Sequence, residues 1–160
     1  MEWWMSLGLG LGLAAACGFR VFVPLLVASI AAQTGHLELA GSFAWIGSPV
    51  ALATFAAATA LEMGAYYVPW VDNLLDTVAG PAAVIAGVLV SASVFTDMSP
   101  LLSWSLALVA GGGSAAVVQT ATSVTRMASS ALTAGLGNPL VSTLETLGSA
   151  VLSVVALFAP

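Results

Sequence analysis

Hydrophobic residues run almost unbroken through residues 4–32, 49–68, 72–96, 100–118 and 139–160, with polar residues gathered between the runs. A helix needs about 20 apolar residues to cross a bilayer. The pattern therefore predicts an all-α membrane protein with about five transmembrane helices, some kinked or broken. The first run is long enough to bend, and Pro24 marks the expected kink, because proline removes a helical hydrogen bond. A polar loop at 33–47 carries His36 and Glu38.

Three runs open alike: Ser48-Pro49, Ser99-Pro100 and Asn138-Pro139. A short polar side chain can cap a helix start, and proline fits the first helical position without losing a needed bond. Ser48, Pro49, Asn138 and Pro139 are thus expected helix-start residues. The third run begins with Asp72 and Asp76, acids that suit the positive end of a helix dipole. The fourth is ambiguous. Gly111-Gly112-Gly113 weakens it, and 119–126 is too polar to face lipid, so it is either a long bent helix or a re-entrant element. Trp3, Trp4, Trp45, Trp70 and Trp104 lie near expected helix ends, as in an interfacial belt, and Tyr66 and Tyr67 join Trp70.

Composition sharpens the class. The chain has 160 residues, 60% hydrophobic and 6% charged, with a mean hydropathy of +1.08, against about 25% charged in soluble domains. No long polar block interrupts it, so 1–160 reads as a single transmembrane domain. The net charge of −5 and the absence of lysine exclude a nucleic-acid partner, which needs clustered cations. Both arginines, Arg20 and Arg126, fall inside hydrophobic runs, so loop charge sets no orientation. The first run lacks the basic lead of a secretory signal and reads as a span. Cys17, the one cysteine, reads as a small packing residue.

A faint internal match joins the two ends of the chain. Gly12, Ala15, Ala16, Ala28, Ser29, Ala31 and Gly35 correspond to Gly112, Ala115, Ala116, Ala128, Ser129, Ala131 and Gly135, and Gly47-Ser48-Pro49 corresponds to Gly137-Asn138-Pro139. With repeat one at about 5–70, a linking helix at about 72–97 and repeat two at about 100–160, the spans group as 2 + 1 + 2. Three crossings between the units make this an inverted repeat, an arrangement that commonly builds a site near the midplane.

Candidate chemistry rests on few residues. Glu62 lies roughly 20 Å into its helix at about 1.5 Å per residue. An ionisable group at that depth costs about 2.5–3.5 kcal/mol on insertion scales, so it is normally paired or lines a polar path. Arg20 reaches a comparable depth, and the two can meet as a buried pair that fixes helix register, or serve as a proton or ion relay, or as an oligomer contact. Asp72 and Asp76 share one helical face. They are either helix-start acids or part of a cation or substrate site, where magnesium or calcium would suit the oxygen ligands. Thr120, Thr122, Ser123 and Thr125 surround Arg126. They are interhelical glue, or a polar half-helix lining a cavity in which Arg126 holds an anionic headgroup or pairs with Glu145. His36 reads as solvated. No metal cluster, nucleophile elbow, phosphate loop or haem pair is present, so no cofactor is expected and enzyme chemistry finds no support.

Taken together, Gly18-Phe19-Arg20 with Pro24, Ser48-Pro49, the run from Glu62 through Tyr66-Tyr67 to Asp76, and Gly135-Leu136-Gly137-Asn138-Pro139 followed by Glu145 resemble the bacterial integral membrane family known as domain of unknown function 4126. The resemblance covers essentially the whole chain. It implies a multi-pass protein of the cell inner membrane and supplies no mechanism. Many members carry an acidic-basic pair where this chain has Tyr66-Tyr67, which marks a distinct branch.

The expected function is that of a small transporter or channel-like protein for an ion or solute, with a polar site built from Arg20, Glu62, Asp72, Asp76, Arg126 and Glu145. The alternative is an accessory or assembly subunit of a membrane complex, whose charges only lock helices together. The expected partners are the lipid bilayer, further copies of the chain and, in the second reading, a membrane complex.

Overall fold

The computed structural model describes residues 3–160, apart from the side chains at positions 69, 70, 72–74 and 76. It is all-helical among these residues, with α1 (Trp3–Phe19), α2 (Phe22–Gln33), α3 (Pro49–Ala65), α4 (Pro69–Val94), α5 (Pro100–Leu106), α6 (Gly112–Thr133) and α7 (Asn138–Phe158). A 3₁₀ segment, Gly41–Gly47, precedes α3, and a π-helical turn, Ala107–Gly111, joins α5 to α6. Three stretches are long and apolar enough to cross a membrane: Thr77–Val94, Pro100–Thr133 and Asn138–Phe158. A fourth counts if Gly41–Gly47 and Pro49–Ala65, bent by 62°, form one span.

The first hydrophobic run does not form the single kinked span its length predicts. It splits into α1 and α2, with Arg20 and Val21 between them. Pro24 has no N–H for the Arg20 carbonyl, and its ring crowds the carbonyl four residues earlier, so the break falls one turn before the proline. Beyond the break the chain doubles back. The α1 side of Arg20 packs antiparallel to α7: a Cβ at Gly12 would lie 2.6 Å from the Ala156 Cβ, and one at Gly8 would lie 2.8 Å from Pro160. Yet α2 returns to the same end of α7, where Val27 and Ile30 line a groove with Val154 and Phe158, and His36 sets its ring 6.3 Å from that of Phe158. α1 and α2 are thus a helical hairpin with Arg20 and Val21 at its tip.

Two proline starts are capped as their sequences predict. The Ser48 hydroxyl accepts a hydrogen bond from the Ala51 N–H at 3.1 Å, and Ser99 accepts one from the Leu102 N–H at 3.4 Å. Asn138 differs: the residue before the helix is Gly137, and the Asn138 amide instead donates to the Ser130 hydroxyl at 3.0 Å. The glycine triplet leaves helix Pro100–Thr133 continuous. A Cβ at Gly111 would lie 2.9 Å from the Gly87 carbonyl oxygen, so the glycine serves close contact with α4. The π-turn absorbs the local mismatch in helical register.

Helix directions follow from these close approaches. α4 runs antiparallel to α1, since the Ser91 hydroxyl donates to the Gly10 carbonyl at 2.9 Å, while a Cβ at Gly87 would lie 3.4 Å from that of Ala14. α6 runs parallel to α1: Gly111 and Ala115 flank Gly87 at the level of Ala14, and Gly18 faces Ala115 and Val118. An inverted repeat of 2 + 1 + 2 spans would set α1 against α6, and their parallel packing lends it no support.

Polarity is turned inside out. On α7 the buried residues are Ser142, Glu145, Ser149, Ser153 and Ala156, while Leu140, Leu144, Leu147, Val151 and Phe158 are exposed. The Ser149 hydroxyl donates to the Ala16 carbonyl across the interface at 2.9 Å. An aliphatic exterior over a serine-lined interior is stable against lipid tails, where packing and interhelical hydrogen bonds hold helices together. The exposed Trp3, Trp4, Trp45 and Trp104 add to that surface; the Trp70 side chain lies outside the described residues.

Candidate functional site at the hairpin tip

A helix broken inside a hydrophobic protein leaves carbonyls at one new end and N–H groups at the other, and burial without partners costs several kcal/mol per group. In an unbroken helix the Val21 and Phe22 N–H groups would bond back to α1. Here both donate to the Glu62 carboxylate of α3, Val21 to Oε1 at 2.9 Å and Phe22 to Oε2 at 3.1 Å. A carboxylate thus sits at the positive end of α2, and the cationic Arg20 sits where α1 ends in carbonyls. Both placements match the helix dipoles.

Arg20 does not form its ion pair with Glu62. It crosses to α7, where Nε donates to Thr146 Oγ1 at 3.0 Å and Nη2 donates to the Ser142 carbonyl at 2.8 Å. Nη2 also bonds the Ser142 hydroxyl and lies 3.4 Å from Glu145 Oε2. Arg126, from α6, grips the same carboxylate: its Nε lies 3.0 and 3.1 Å from the two Glu145 oxygens, and its Nη2 bonds Oε2. Two guanidiniums therefore converge on Glu145. Arg20 is 1% exposed, and Arg126 and Glu145 are each 5% exposed. Pairing is what makes charges tolerable at that burial.

Tyr66 completes the cluster. It follows the last residue of α3 and is buried, and the guanidinium carbons of Arg20 and Arg126 lie over its ring at 3.9 and 4.2 Å from the centroid. A tyrosine face attracts cations, most strongly where water is excluded. The neighbouring Tyr67 hydroxyl meets Thr143 Oγ1 at 3.1 Å, so the α3–α4 turn is fastened to α7.

Among the described residues two clefts approach the cluster. One, of about 380 Å³, opens between α2, α3 and α4 and is walled by apolar side chains with Glu62 and Tyr66 as its polar members. The other, of about 240 Å³, lies between α6 and α7, with Thr122, Thr125 and Glu145 in its lining. Glu62 is half-buried and faces the first cleft.

Of the residues singled out from the sequence, Arg20, Arg126 and Glu145 meet directly, and Glu62 joins them through the hairpin tip. The Asp72 and Asp76 side chains lie outside the described residues. His36 is exposed, with Nδ1 3.0 Å from Thr34 Oγ1. Cys17 is fully buried. Among the described residues no group of three or more His, Cys, Asp or Glu is placed to hold a metal ion. Sequence reading missed Tyr66, Ser142 and Thr146 as parts of the site. Tyr66 had one available signal, its place where the family resemblance implies a charged pair, whereas the two hydroxyl residues of α7 look like ordinary interhelical serines and threonines.

The fold and the site define a small all-helical membrane protein with a charged centre at a broken hairpin. The chain belongs to the family described as Domain of unknown function (DUF4126), which matches residues 7–160. No curated protein and no solved structure matches it.

Proposed function

We propose that this protein is a small membrane transporter or channel-like protein whose working site is the α1–α2 hairpin tip with Glu62. One observation carries the reading: Glu62 caps the broken helix instead of pairing with Arg20, and it does so facing an open cleft of about 380 Å³. A carboxylate needed only to neutralise an arginine has no reason to face a cleft. Discontinuous helices whose ends meet at a polar site are a recurrent way of binding ions and small solutes inside membranes. The second cleft, reaching Glu145 from the α6–α7 side, gives the charge cluster two approaches. Tyr66 lines the first cleft and carries the two arginines over its ring.

The protein is placed by this reading in the cell inner membrane as a multi-pass, self-associating protein. A five-crossing inverted repeat is not needed, since the hairpin tip supplies the broken helix that the repeat was expected to build.

The test is reconstitution into liposomes, with proton, ion and small-solute flux measured for the unmodified chain and for Glu62→Gln. Flux above that of protein-free vesicles, reduced at least tenfold by the substitution, supports the proposal. No flux across a broad panel contradicts it and favours the accessory-subunit reading. The buried Arg126–Glu145 pair between α6 and α7 suits that second reading, because it locks helices whether or not anything passes.

A further inference from the structure

The shape and lining of the Glu62 cleft narrow the class of solute. At about 380 Å³ it falls in the size range of sites for drug-sized molecules, which are mostly apolar with few placed polar groups. Its walls come from α2, α3 and α4, including Phe22, Ala58, Leu75 and Ala82. Among the described lining residues Glu62 alone carries a charge, and it is negative. The nearby cations do not line the cleft: Arg20 and Arg126 lie over the Tyr66 ring and are engaged on Glu145. Each Glu62 oxygen accepts one backbone N–H and keeps acceptor capacity for a further donor or cation.

We infer that the cleft takes a lipophilic monovalent organic cation, its apolar body against α2, α3 and α4 and its charged centre at Glu62. This rests on the transport reading and specifies its substrate class. A lipid tail would fill the apolar volume without using the carboxylate, an anion would be repelled by it, and the apolar walls suit an organic cation better than a hydrated metal ion.

The experiment compares tetraphenylphosphonium with tetraphenylborate, ions of matching shape and opposite charge, by equilibrium binding to purified protein in nanodiscs. Subtracting the Glu62→Gln signal removes bilayer partitioning. The expected result is saturable tetraphenylphosphonium binding weakened at least tenfold by Glu62→Gln, with no Glu62-dependent binding of tetraphenylborate. Ala82→Phe, which fills the cleft and leaves the carboxylate, should weaken cation binding similarly while elution on size exclusion stays unchanged. It decides the matter if Glu62→Gln disturbs folding. Cation binding that survives both substitutions, or equal Glu62 dependence for the anion, overturns the inference. Cation binding without flux would retain this site and remove the transport reading. Flux of other solutes without cation binding would do the reverse.

Discussion

Glu62 is half-buried and Glu145 buried in the same small protein, and their surroundings assign them different work. Glu145 is gripped by Arg126 and approached by Arg20, so it is a counter-charge shared by two buried guanidiniums. Removing it takes that counter-charge from both. Glu145→Ala is expected to destabilise the protein by about 3–5 kcal/mol, the usual cost of breaking a buried ion pair from one side, while Glu145→Gln keeps an acceptor and costs less. Unfolding in mixed detergent micelles, followed by circular dichroism, measures both. Equal stability of Glu145→Ala and the unmodified chain would remove Glu145 from that role. Depth in a hydrophobic run singled out Glu62 and Arg20, and Glu145 entered as one possible partner of Arg126, but depth could not say that Arg20 turns away from Glu62. Arg20 reaches α7 because the chain breaks at Arg20 itself, and pairing of that kind depends on where a helix ends.

Among the elements, helix starts were the most legible. Ser48-Pro49 and Ser99-Pro100 work through atoms within three residues of the cap, so local chemistry decides them. Ser48→Ala is expected to cost about 1 kcal/mol, typical of a lost cap, read as a lower thermal midpoint with unchanged helix content. Asn138 escaped the same logic because the turn before it, with Ala134 and Gly135 at φ of 52° and 86°, brings Ser130 within reach of its amide. The α1–α2 break was half legible: Pro24 announced an interruption, but the backward course of α2 depends on grooves along α7 and on Glu62 from α3. No local pattern contains those partners.

In the whole molecule, three helical hairpins, α1–α2, α3–α4 and α5/α6–α7, pack through glycine, alanine and serine, with aliphatic side chains outward. Such contacts tolerate no added bulk. Gly111→Ala should destabilise by about 1–3 kcal/mol through overpacking against α4, since its Cβ would lie 2.7 Å from that of Ser91 and 2.9 Å from a backbone oxygen. Gly113→Ala, two positions along, meets nothing within 4 Å. It should be neutral or stabilising by about 0.5–1 kcal/mol, because alanine loses less freedom in a helix. Chemical unfolding of the pair provides an internal control, and equal effects would contradict the packing described. Hydrophobicity alone gave the class of protein; chain direction did not follow from it, because apolar runs read alike in either sense.

What connects this packing to the proposed function is the capped tip, where Glu62 holds the first turn of α2 and faces the cleft. Its most direct measurement is the amide proton resonances of Val21 and Phe22 by NMR, in the unmodified chain and in Glu62→Ala. Carboxylate hydrogen bonds hold both resonances downfield, so the substitution should move these two upfield while the amides of α1 stay in place. Unmoved Val21 and Phe22 resonances would contradict the capped tip and, with it, the site on which the proposed function rests.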